Sequence, residues 1–245
     1  SKSVHRGRWA CLPAQPTLIS YPPKKEPARC YRTGSFLGGY EMSAFLGPVH
    51  EWMYEKIKIQ ESLVQAILAL AESERWNDSL RQEINQKYGE LEQGSLEEIV
   101  DETNIHGWLY ERVACVENRL AYAAKQLLCG HEERSKDILS VFYKDGQEKG
   151  ASLPSESDCI QIYTKMTDSL LDGMPCDSAV EVQTESQDEG VWNYVGDIHE
   201  AYWRALNADA AIFYRLRAEW IKGFLFQKPV LFEQLGDHTF RISRG

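Results

Sequence analysis

Apolar residues recur at helical spacing along most of the chain after about residue 46. Positions 49, 53, 57, 64, 67, 68 and 71 form one stripe over 46–73 and predict a long helix, with Pro48 where a first-turn proline is tolerated. A shorter helix is expected at about 76–88, and Ser95-Leu96-Glu97-Glu98 reads as a capping box opening a further turn. A second long helix covers about 104–129 and stops at Gly130. Residues 131–145 form an amphipathic segment ended by Asp145-Gly146, and 155–172 form another, ended by Gly173. The pattern lapses over 174–195. Pro175, an acidic run from Glu185 to Glu189 and short alternation read there as a long loop, of a length that points to function or mobility. The last long helix is expected at 197–226, closed by Pro229, and 235–242 fits one short hairpin strand. Helices this numerous and strands this few predict an all-α helical bundle with internally repeated long helices.

The repeat carries the chemistry. Val49-His50-Glu51-Trp52-Met53-Tyr54-Glu55-Lys56 and Ile105-His106-Gly107-Trp108-Leu109-Tyr110-Glu111-Arg112 share His, Trp, Tyr and Glu at equal spacing. The register continues: His50, Tyr54, Ile57, Glu61, Val64 and Leu68 align with His106, Tyr110, Val113, Glu117, Leu120 and Ala124. Steps of four and three place each set on one helix face, the apolar one. A His, a Tyr and a Glu of each helix are therefore expected on a buried face. Ile198-His199-Glu200-Ala201-Tyr202-Trp203-Arg204 starts alike, and its stripe runs His199, Trp203, Leu206, Ala210, Phe213, Arg217.

Neutral imidazole is the commonest transition-metal ligand, and helical bundles build metal sites from inward-facing side chains. If the three helices enter from one end, His50, His106 and His199 converge on one divalent ion, zinc or iron, and leave a position open for water or substrate. Cys176 and Asp177, in the loop leading toward the third histidine, are candidate further ligands. Glu61 and Glu117 lie eleven residues beyond their histidines, about 16 Å along a helix axis, too far to share that ion. If the first two helices instead run antiparallel, His50 meets Glu117 and His106 meets Glu61, giving two His–carboxylate pairs or two small metal sites. The same residues also suit a non-catalytic binding, assembly or chaperone protein in which His–Glu pairs only fix helix register. Whether the chain is an enzyme stays open between the two readings.

A bundle with three convergent histidines resembles the DinB/YfiT-type metal-dependent enzymes, and a His-plus-carboxylate bundle resembles the ferritin and hemerythrin groups. The resemblance implies an all-α fold and a bound metal. It departs from those groups in having neither Glu-x-x-His nor His-x3-His at the three histidines.

Composition divides the chain in two. The 245 residues hold 27 basic and 37 acidic side chains, a net charge of -10. Residues 1–41 contain five of the nine prolines and seven basic against two acidic residues, whereas 42–245 contain 20 basic and 35 acidic ones. The first piece is expected to be extended or disordered, and 42–245 to be one bundle domain. Gly38-Gly39-Tyr40-Glu41-Met42 can be encoded with a purine-rich ribosome-binding sequence ahead of an ATG, so Met42 is a candidate native start and 1–41 a translated leader. No apolar run approaches the roughly 18–20 residues of a membrane helix. An acidic chain has no electrostatic footprint for nucleic acid. A protein partner, a small-molecule substrate and a homo-oligomer remain open. Cys115, Cys129, Cys159 and Cys176 form no C-x-x-C pair, the usage expected of a reducing, cytoplasmic compartment.

Overall fold

The computed structural model describes residues 46–236 and 238–245. The leader 1–41 and the start at Met42 lie outside the described residues. Helix α1 (Pro48–Ser73) and helix α4 (Ile105–Leu128) form where the two stripes place them. Pro48 sits in the first turn of α1, and the Asn104 side chain caps α4 by accepting the Gly107 N–H at 3.1 Å. Gly130, at φ 79°, adopts the left-handed conformation that ends α4. Between them lie α2 (Leu80–Tyr88) and the single turn α3 (Leu96–Ile99), opened by the expected Ser95/Glu98 capping box.

The repeat is used in parallel. His50 meets His106, Gln60 meets Glu117 and Glu61 meets Arg119, so equivalent heights of α1 and α4 lie side by side. Two parallel helices need a connection that returns the full length of the first, and the segment carrying α2 and α3 supplies it. The upper halves of α1 and α4 enclose one core cluster around Met53, Tyr54, Ile57, Leu109 and Val113, closed by Leu171 and Met174. The lower halves join a larger cluster with α5 (Ser135–Ala151), α6 (Cys159–Thr167) and α8 (Ala211–Phe224).

The all-α expectation is overturned. The structure is mixed, with a four-stranded antiparallel sheet of order β1-β2-β4-β3 beside the helices. The expected loop at 174–195 contains β1 (Val180–Glu185) and β2 (Glu189–Tyr194), and the C-terminal strand is a hairpin of β3 (Val230–Gln234) and β4 (Thr239–Arg244). On β2, Gly190, Trp192 and Tyr194 are buried in strict alternation and pack with Phe240 and Ile242 of β4 on the helices. The opposite face is charged, with Arg241 paired to Glu189 at 2.7 Å and to Glu233 at 3.3 Å. This is the pattern of an antiparallel sheet wet on one face.

Helix boundaries also differ from expectation, and the helix expected over 155–172 shortens to α6. The helix expected over 197–226 is broken into α7 (Glu200–Ala205) and α8 by a turn in which Asn207 has φ 53°. Helix α5 continues through Asp145-Gly146 to Ala151. The reason is packing. A Cβ on Gly146 or Gly150 would collide with the carbonyl oxygens of Trp220 and Phe224, and one on Gly223 would collide with that of Tyr143. These glycines let the α5 and α8 backbones touch, while Asp145 accepts the Trp220 indole N–H at 2.7 Å. Among the described residues no helix is long and apolar enough to cross a membrane.

Because backbone, not flexible side chain, blocks the added methyl, Gly223→Ala is expected to destabilise the protein by about 2 kcal/mol or more, the scale of overpacking. Urea unfolding monitored by circular dichroism measures it, and an unchanged midpoint contradicts the close α5/α8 approach.

Candidate functional site

His50 and His106 meet at the shared N-terminal end of α1 and α4, with their Nε2 atoms 3.3 Å apart and rings nearly perpendicular at 77°. His50 is the third residue of α1, and its Nδ1 accepts the Gly47 N–H at 3.0 Å, the place usually taken by a capping Glu or Gln. An Nδ1 that accepts has no proton. The neutral ring therefore carries its proton on Nε2 and donates it to His106 Nε2, whose own proton is left on Nδ1. Burial and the His106 ring lower the His50 pKa below the usual histidine value.

His199 lies elsewhere. It precedes α7, and its Nδ1 is 3.2 Å from Glu117 Oε2, eleven residues below His106 on α4, a separation of about 16 Å along the axis. The Gln60 amide donates to the other Glu117 oxygen at 2.9 Å. His199 Nε2 is 3.5 Å from Asp172 Oδ1, an ion-pair separation beyond a good hydrogen bond. Asp172 is also paired with Arg217 of α8, which donates to the Tyr194 hydroxyl at 3.0 Å and the Leu171 carbonyl at 2.7 Å. The result is a buried chain, Gln60–Glu117–His199–Asp172–Arg217–Tyr194, that ties α1, α4, the loop before β1, α7, α8 and β2 together.

Electrostatics follow from that chain. Burial by itself would lower the His199 pKa, but Glu117 and Asp172 outweigh it and leave the pKa raised, which favours the imidazolium form. Burial would raise Asp172, and Arg217 and His199 instead hold it well below the usual carboxylate range. Tyr194 is pushed up to about 12 by burial, which Arg217 only partly offsets. Two anions face two cations. Nearby, Lys56 is buried with its ammonium 3.5 Å from the centre of the Trp52 ring, and burial lowers its pKa to about 8.

The remaining expected residues separate from these groups. Glu61 forms a two-pronged ion pair with Arg119, both contacts at 2.9 Å, instead of meeting His106. The antiparallel arrangement, with His50 on Glu117 and His106 on Glu61, is therefore not the one adopted. Asp177 accepts the Met174 N–H at 2.8 Å and shapes its own turn, and Cys176 is exposed. Tyr110, expected on the buried face, is 55% exposed, while its counterpart Tyr54 is buried and donates to the Glu92 carbonyl. Among the described residues no three His, Cys, Asp or Glu side chains converge as a metal-ligand group. Sequence reasoning missed Gln60, Lys56, Asp172 and Tyr194. Arg217 was signalled at the end of the third stripe, whereas no periodicity or motif marks Asp172. No family model, no characterised protein and no solved structure matches this chain.

Removing one member leaves its partner charged and buried, so Arg217→Met is expected to cost about 3–5 kcal/mol, read from urea unfolding at neutral pH. A loss below about 1 kcal/mol contradicts the pairing. The pH dependence has a definite sign. A pKa raised in the fold gives stability that is complete below the unfolded value of about 6.5 and lost as pH rises through the folded value. His50, with a lowered pKa, acts oppositely: its contribution is complete above about 6.5 and lost as pH falls through the lowered value. His199→Gln is therefore expected to unfold much more easily than wild type at about pH 6, with the gap narrowing toward about pH 9. A gap independent of pH defeats the imidazolium assignment.

Proposed function

We propose that this chain is a non-catalytic binding or assembly protein, in which the histidines and carboxylates of the core set helix position and register. The supporting observation is that the buried polar groups are engaged with one another. Buried His199 engages Glu117 and buried Arg217 engages Asp172, and the cavity beside them, lined by Gln60, Ser169, Arg217 and apolar side chains, measures about 30 Å³. That volume takes about one water and no substrate. At the other end, the Nδ1 contact of His50 turns its Nε2 into a donor, whereas a metal needs a lone pair on that nitrogen.

A second reading draws on one distance. The 3.3 Å between the two Nε2 atoms is also the spacing of two nitrogens on one tetrahedral ion with bonds of about 2.0–2.1 Å. On that reading His50 and His106 share a divalent zinc or iron ion, and His50 gives up its bond to Gly47.

Elemental analysis of untagged protein purified without chelator separates the two. The assembly reading expects well under about 0.2 metal per chain, and expects the His50→Ala/His106→Ala variant to be indistinguishable from wild type in metal content, with the limit set by contaminant metal bound weakly at imidazole. Stoichiometric zinc or iron that disappears in the variant overturns it in favour of the metal.

A further inference from the structure

The two edges of the sheet are unlike. The β1 edge carries Glu181 and Glu185 and a bulge between Val182 and Thr184, devices that blunt strand pairing. The β3 edge is regular, and its sequence Val230-Leu231-Phe232-Glu233 has one charge, with Leu231 58% exposed. The backbone groups of Val230 and Phe232 that face outward can be assigned. Leu235 donates to the Thr239 carbonyl at 2.8 Å, and bonded pairs alternate in an antiparallel ladder. Glu233 and Leu231 therefore bond to β4, while the N–H and C=O groups of Val230 and Phe232 point away from the sheet.

We infer that β3 pairs with β3 of a second copy of this chain, antiparallel about a two-fold axis at Leu231, joining the two sheets into one of eight strands. In that register Val230 of each copy exchanges both backbone bonds with Phe232 of the other, which satisfies the outward groups of these two residues in both copies. Leu231 faces Leu231 in the close, non-bonded position of the ladder, where apolar side chains gain most from contact. Glu233 faces Pro229 instead of Glu233, so no like charges meet, and the missing N–H of Pro229 falls where no bond is needed. The bulged, acidic β1 edge offers no equivalent surface. The pairing is thus isologous and closes at two copies.

This contact deepens the assembly reading, and the two fail separately: metal at His50 and His106 leaves the association intact, and a monomer leaves the role of the histidines untouched. The test is sedimentation of the full chain over about 5–200 µM, with hydrogen exchange at both ends of that range. A dimer is expected, with the Val230 and Phe232 amides slowed as concentration rises. Leu231→Lys, on the exposed face, is expected to weaken association at least about tenfold with an unchanged far-ultraviolet spectrum, since like charges then stand directly opposite. Should that variant misfold, the wild-type exchange pattern still decides. A monomer across the range, or a dimer whose Val230 and Phe232 amides exchange at the monomer rate, overturns the proposal. So does slowing of those amides only when an extended peptide of another protein is added.

Discussion

A charge buried without a partner is among the most unfavourable events in folding, and the lower half of this protein is arranged around that constraint. Glu117 enters the core because it lies on the apolar stripe of α4. Once there it requires a cation, which His199 supplies, and His199 in turn carries Asp172 on its other side. Arg217 completes the count, with two anions against two cations. Each of these groups comes from a different part of the chain. Moving α7, α8 or the loop before β1 by a few ångströms would leave a charge unmatched. Through the Tyr194 hydroxyl the same chain reaches β2 and fixes the height of the sheet on the helices.

How much of this was readable in the sequence follows from how local each feature is. The stripes of α1 and α4, the proline and glycine that bound them, and the Ser95/Glu98 box depend on residues within a turn or two, and all were legible. The inward direction of His50, His106, Glu61 and Glu117 was legible for the same reason. Which of them meet was not, because periodicity is silent on whether two helices run parallel or antiparallel. The long connection through α2 and α3 allows either arrangement. Tyr110 shows a further limit: a position equivalent to the buried Tyr54 turns outward because the two copies of the repeat have different neighbours.

The sheet escaped for the opposite reason, being non-local. β2 pairs with β4, some fifty residues later in sequence, and its alternation of Gly190, Trp192 and Tyr194 gains meaning only once Phe240 and Ile242 lie beside it. The acidic run at 185–189 resembles a solvated loop because it serves a wet face and a strand edge. Glycine misled in a similar way. Gly146 has the sequence signature of a stop after Asp145, yet a glycine inside a helix also permits the closest backbone approach, and only Trp220 on α8 decides between the two.

The buried charge chain bears on specificity more than on net stability. Desolvating four charged groups offsets much of their mutual attraction, so well-packed apolar residues in the same places can hold a core equally well. Apolar side chains, however, tolerate many relative positions of the elements that carry them. Four alternating charges accept essentially one, because each displacement pairs like with like or leaves a group orphaned. That exactness suits a protein whose sheet has one blunted and one open edge. The orientation of the open edge is set by where the sheet rests, and the sheet rests where Arg217 holds Tyr194. A polar core largely withdrawn from solvent thereby governs how a surface some distance away is presented.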